Sequence, residues 1–241
     1  RITSKTLRKL LQSDDEREMK WGKQCEKRAI RMNSIKDMIP LVPARREEFD
    51  RHKYLLNVEN GTIDLKSGEL KLHDRELMLT KLANITYQKG ADCPIWKTFL
   101  ESIFKDSQGN TDYELIEFIQ KAIGYSLTSD ISEQVMFFLH GGGRNGKSTF
   151  INIIKSLLGD YAKQTNSETF IKKKNESNIN NDIARLAGSR FVSAVESEDS
   201  QQLSESLVKQ ITGGEPITAR FLRQEFFEFE PEFKVFFTTN H

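Results

Sequence analysis

An α/β fold, with a parallel sheet carrying a glycine-rich loop behind a smaller helical and hairpin region, is predicted by three features of the 241-residue chain. The first is the run Val135 to His140, an apolar segment that reads as a buried parallel strand. The second is the loop Gly141-Gly142-Gly143-Arg144-Asn145-Gly146-Lys147-Ser148, which fits the phosphate-binding pattern G-x-x-x-x-G-K-[ST]. The third is Thr149 to Leu158, whose apolar spacing is helical and which stops at Gly159. Strand, glycine loop and helix in this order aim backbone N–H groups and a helix N-terminus at phosphate.

The elements before the loop divide into three stretches. Residues 1–50 are charged and helical in pattern, with Leu7, Leu10, Leu11, Met19, Ile30, Ile35 and Ile39 spaced among basic residues, and Pro40 and Pro43 ending them. Residues 51–128 form a second region. In it Asn60-Gly61 and Ser67-Gly68 punctuate short alternating runs, predicting hairpins. Cys93-Pro94 then opens a helix whose buried face carries Ile95, Trp96, Phe99, Leu100, Ile103 and Phe104. A second helix carries Leu115, Ile116, Phe118, Ile119 and Ile123 and ends near Gly124. Residues 129–241 hold the loop and the rest of the sheet.

Two further strands supply polar ends. Arg190 to Asp199 reads as a buried strand running into carboxylates. Glu196, the first acid out of it, is assigned to the metal and the attacking water, with Glu198 the second candidate for activating water. Phe233 to Thr239 is another strand and ends at Asn240, whose amide can bond both water and phosphate. Between them, Gly213-Gly214 and the alternating runs around Arg223-Gln224-Glu225 predict a hairpin. In the loop, Gly141 through Thr149 are the nucleotide-binding candidates. Lys147 would contact β- and γ-phosphates, and Ser148 would join Glu196 as a ligand of Mg²⁺. ATP and Mg²⁺ are therefore the expected small-molecule partners.

Composition narrows the classes. Lys and Arg number 36 against 35 Asp and Glu, so any nucleic-acid surface must be local. Cys25 and Cys93 stand alone, without a C-x-x-C pair, which argues against a structural zinc or a disulfide framework and suits a reducing cytoplasm. No stretch reads as a membrane span or signal peptide. Arg1 rather than Met opens the sequence, which reads as a segment of a longer protein.

The pieces FLHGGGRNGKSTF, the strand ending in VESED, LVKQITGGEPITARFLRQEFFEF and FKVFFTTNH resemble, in order and spacing, motifs A, B, B′ and C of superfamily 3 helicases. The likeness is strongest to the phage and plasmid primase-helicases of D5 and P4 type. NVENGTIDLKSGELKLHD, CPIWKTFL and IGYSL resemble the domain preceding the motor in that family, so the resemblance covers most of the chain from about residue 50.

The resemblance implies an AAA+-like P-loop ATPase domain, truncated at its C-terminus here, in a DNA helicase of phage, viral or plasmid replication. Such a protein would act in the host cytoplasm as a homo-oligomer, a hexameric ring travelling 3′→5′ on single-stranded DNA, with a fused or associated primase. It marks Asn145 as the motif A asparagine, Glu196 as the motif B acid and Asn240 as the polar sensor. It also puts Lys209, Arg220 and Arg223 in or beside the B′ hairpin that grips DNA, with Arg223 at the tip. The family's arginine finger follows motif C, and the sequence stops at His241, so weak hydrolysis by this segment alone is expected. Two other readings stay open: a nucleotide-switched initiator or assembly module, and a small-molecule P-loop kinase, which the hairpin speaks against.

Overall fold

The computed structural model describes residues 8–41, 45–172, 181–195 and 202–239, which fall into two units, Arg1–Glu48 and Phe49–His241. In the first unit, α1 (Glu16–Cys25) starts at Asp15, whose carboxylate accepts from the Arg17 N–H at 2.8 Å, and carries Glu16 and Glu18 in its first turn and Lys23 in its last. Helix α2 (Arg28–Met38) runs into a 3₁₀ turn, Ile39–Leu41, that holds Pro40.

The second unit opens with a three-stranded antiparallel meander, β1 (Leu55–Val58), β2 (Gly61–Asp64) and β3 (Glu69–Lys71). Its period-two alternation sends Leu56, Val58 and Ile63 inward. Next come α3 (Pro94–Ile103), with Pro94 in its first turn, and α4 (Tyr113–Ser126), capped by the Asp112 carboxylate on the Leu115 N–H. Ile95 is 86% exposed and Phe118 54%, contrary to the expected buried faces. Ile95 lies in the first turn of α3, outside the stripe made by Trp96, Phe99, Leu100 and Ile103, and Phe118 meets the ring of Phe137 edge-on at 6.3 Å.

The main sheet is parallel, in the order β4 (Phe137–Leu139), β9 (Lys234–Thr238), β6 (Phe191–Val195), β5 (Ala162–Asn166). The sequence reading passed over β5, whose Ala-Lys-Gln-Thr-Asn has no apolar run to mark it. The expectation of a buried strand before the glycine loop needs correcting too. β4 is an edge strand, and Phe138 is 55% exposed. Its other neighbour, Phe137, stacks on Phe236, which stacks on Phe191, each at 4.6 Å between centroids, tying three strands on one face.

Each sheet face has its own core. Helix α5 (Lys147–Leu158) covers one with Phe150, Ile151, Ile154 and Leu158, and joins Leu56, Val58, Leu100 and Ile119 from the elements before residue 128. That shared core merges the 51–128 region with the sheet. The other face packs Val192, Ala194, Val235 and Phe237 against Phe170, Ile183, Leu186 and Ile211. Here lie α6 (Asn181–Ala184), α7 (Glu205–Gly213) and the hairpin β7 (Ile217–Ala219) with β8 (Phe227–Phe229).

Two cations are buried at the opposite edge of the sheet from the glycine loop. Arg190, 2% exposed, donates to the carbonyls of Leu127, His52 and Leu55 and lies 4.6 Å over the Tyr161 ring. Lys234 donates to the carbonyls of Thr128 and Asp130 and lies 4.6 Å over Tyr125. Leu127 and Thr128 end α4, so both cations sit where the helix dipole is negative. The sequence placed both in strands but gave neither a partner.

Candidate nucleotide site and hairpin

Register brings the sequence-predicted strand ends together. Leu139 of β4 and Val195 of β6 both align with Thr238 of β9, the Thr239 N–H donates to the Leu139 carbonyl at 3.0 Å, and the Thr238 hydroxyl donates to Ala194 at 3.1 Å. The C-terminal edge of a parallel sheet is where α/β folds bind ligands. Glu196, Glu198 and Asn240 lie outside the described residues. Val195 and Thr239, the described residues that immediately precede Glu196 and Asn240 in sequence, end at this edge beside the glycine loop.

The loop runs from β4 into α5 through Gly146, a left-handed N-cap (φ +86°) that provides no side-chain cap. The N–H groups of the first turn have no intrahelical acceptor, whereas Phe150 N–H closes the first bond on the Gly146 carbonyl at 2.9 Å. Cβ atoms added at Gly142 or Gly143 would meet nothing within 4 Å, so the loop's middle faces open space. Ser148 and Thr149 are exposed on the first turn. Such a cradle fits an anion.

Lys147 points its ammonium into the loop. It donates to the Gly141 carbonyl, to Gly142 at 3.3 Å and to Asn145 Oδ1 at 3.2 Å. The structure therefore brings Gly141, Asn145 and Lys147 together. Arg144, at φ +63°, sits exposed on the loop's outer side. Ser148 and a phosphate oxygen are a fitting donor set for Mg²⁺, whose remaining ligands are commonly water and one carboxylate. Among the described residues no group of three or more His, Cys, Asp or Glu could hold a metal by itself.

The hairpin forms where expected, with Ala219 opposite Phe227 and a loop of residues 220–226. A turn closed by Gln224 N–H on the Phe221 carbonyl puts Arg223 at φ +64°, exposed at the bend. Arg220 follows β7 at the start of the hairpin loop. Its guanidinium lies 4.5 Å over the Phe226 ring, and its buried Nε has no hydrogen-bond partner among the described residues. Phe226 is 61% exposed and was missed by the sequence reading, which weighed the arginines for charge alone. Lys209 is exposed on α7. Of the polar run from Lys172 to Asn181, residues 173–180 lie outside the described residues.

Comparison with known proteins agrees with the motifs. Residues 1–105 match the family model described as D5 N terminal like, and residues 139–241 match a family of unknown function, DUF5906. The chain is 28% identical over 222 residues to the protein named "Putative helicase L207/L206" of Acanthamoeba polyphaga mimivirus, covering 90% of this chain and 23% of that protein. It is 25% identical over 183 residues to "Putative primase C962R" of African swine fever virus (isolate Tick/Malawi/Lil 20-1/1983), covering 74% of this chain and 19% of the relative. The chain thus spans about a quarter or less of these relatives. Among solved structures, the apo NrS-1 C-terminal region aligns over 62% of this chain and 33% of that one, with a TM-score of 0.47 and 14% identity. These matches are consistent with the D5-type family of phage and viral primase-helicases. No helix among the described residues is long and apolar enough to cross a membrane.

Proposed function

We propose that this chain carries the ATP-binding part of a replication helicase motor that moves on single-stranded DNA. The observation that carries this reading is the shared edge of β4, β9 and β6, where an uncapped helix N-terminus, Lys147 and the strands leading to Glu196 and Asn240 converge. In it, the first-turn amides and Lys147 hold the β- and γ-phosphates, Ser148 and Glu196 hold Mg²⁺, Glu196 or Glu198 orients the attacking water, and Asn240 bonds water and γ-phosphate. Bound Mg²⁺ would neutralise charge building on the phosphates.

The hairpin supplies the second half of the reading. A solvent-facing loop with Arg223 at its bend and Phe226 open on one ring face suits backbone-directed, sequence-tolerant contact with a single strand. Relatives named helicase and primase support the same direction. Assembly as a homo-oligomeric ring and a charge-stabilising arginine from elsewhere complete the motor in this proposal.

The test is ATPase activity of a longer segment of the protein, extended past His241, with and without single-stranded DNA, beside its Lys147→Ala variant. DNA-stimulated hydrolysis lost in Lys147→Ala supports the motor. Hydrolysis indifferent to DNA would transfer the reading to a nucleotide-switched module, and phosphorylation of a nucleoside would transfer it to a kinase.

A further inference from the structure

The point at which the glycine loop becomes a helix is held from outside by α3. A Cβ built on Gly146 would lie 2.6 Å from Ile103 Cγ2, 3.4 Å from Ile103 Cβ and 3.5 Å from Ile103 Cδ1. Ile103 therefore occupies the space that a side chain at the residue before Lys147 would need. One helical turn further on, the same segment grips α5 again. Trp96 stacks on Phe150 at 5.7 Å, and Phe104 meets it edge-on at 6.1 Å. Gly146 and Phe150 are the two ends of the hydrogen bond that opens α5. α3 thus clamps the first closed turn of the helix whose free N–H groups face the loop.

We propose that Ile103 is a positioning residue for the phosphate loop, and that α3 couples its own placement to nucleotide affinity. The inference rests on the nucleotide reading above. Packed interiors transmit sub-ångström shifts instead of absorbing them, so a gap at Ile103 frees Gly146 to move and misaims the first-turn amides. By linkage, a nucleotide that needs this loop shape must in turn favour the seated position of α3. A contact made only for core packing would show neither effect.

The stereochemistry of the contact supplies the test. Binding of a fluorescent ATP analogue with Mg²⁺ is measured for this chain and for Lys147→Ala, Ile103→Ala, Ile103→Leu, Ile103→Val and Leu100→Ala, each well below its own Tm. Valine keeps the Cγ2 that touches Gly146, whereas leucine moves the branch away from Cβ. Ile103→Val should bind within about twofold of the unsubstituted chain, and Ile103→Ala and Ile103→Leu about tenfold more weakly. Leu100→Ala, which empties the same core one turn earlier on α3 but keeps the Ile103 contact with Gly146, should lower Tm and weaken binding clearly less than Ile103→Ala does. Equal affinity in Ile103→Ala, or an equal loss in Leu100→Ala, would overturn the positioning role while leaving the nucleotide site standing. No binding by the unsubstituted chain, or undiminished binding by Lys147→Ala, would overturn the nucleotide reading and the brace with it.

Discussion

Lys234 Nζ donates to the carbonyl of Thr128 at 2.6 Å, joining the start of the central strand β9 to the end of helix α4 by a cation that is 1% exposed. Burial, with Arg190 nearby, lowers the lysine to about 7, against the pull of Asp130 and Glu232. A neutral amine still has two hydrogens for its two carbonyls.

The sign of the pH effect follows. The unfolded chain keeps this lysine charged up to its ordinary value near 10.5, whereas the folded chain releases the proton from about 7. Between those values the unfolded state holds more protons, so stability rises with pH; below about 7 the cost of the buried charge is fully present and flat. Tm measured from pH 6 to 9 should therefore climb more steeply in the native chain than in Lys234→Met. A Tm difference between the two that does not vary with pH would contradict the assignment.

Arg190→Ala should destabilise by about 2–3 kcal/mol, because it takes the guanidinium from the half-buried carbonyls of Leu127 and Leu55 and leaves His52 with the Leu55 N–H. Arg190→Lys should recover less than half of that, since a single ammonium cannot span carbonyls served by a planar fork. Urea denaturation of both variants decides it. A loss below about 0.5 kcal/mol in Arg190→Ala would mean that water satisfies these groups.

The loop glycines should separate by function. Gly146→Ala meets both a left-handed φ and the Ile103 side chain, so it should cost about 1–3 kcal/mol and abolish nucleotide binding. Gly142→Ala and Gly143→Ala meet open space at ordinary φ and should leave Tm within about 1 °C. Any loss of ATP affinity in those two then reports phosphate approaching the backbone. Thermal shifts and titrations on the three variants test this, and Gly146→Ala with native affinity would contradict it.

At the hairpin, charge and stacking should be separable by salt. Arg223→Ala should weaken single-stranded DNA binding and lower the slope of log K against log salt by about one ion. Phe226→Ala should weaken binding by about 1–3 kcal/mol with the slope unchanged, as expected for lost base stacking. Arg220→Ala should resemble Phe226→Ala, because Arg220 backs the Phe226 ring. A slope change in Arg220→Ala equal to that of Arg223→Ala would show instead that it contacts phosphate.

Glu196→Gln and Glu198→Gln should divide hydrolysis from binding in the longer protein. The variant that keeps ATP affinity but loses turnover by about 10²-fold or more identifies the water-orienting acid. Equal loss in both would indicate that the two carboxylates act together.

The local grammar of this chain was legible where one residue type has one mechanical use. Pro94 starting a helix, Gly159 stopping one and the spacing of Gly146-Lys147-Ser148 each constrain the backbone within a few residues. These determined by themselves the strand–loop–helix unit, the meander before it, the hairpin after it and the family resemblance. Tertiary structure decided what depends on partners distant in sequence. β5 is a strand through pairing with β6, although its own residues are polar. β4 lies at an edge because β9, nearly a hundred residues later, pairs on one side of it only. Ile103 reads as ordinary core until folding sets it against Gly146, and the strand residues Arg190 and Lys234 gain their carbonyl partners only where α4 ends over them. Side-chain chemistry is written residue by residue, but burial, register and contact arise only when segments of high sequence separation share one core.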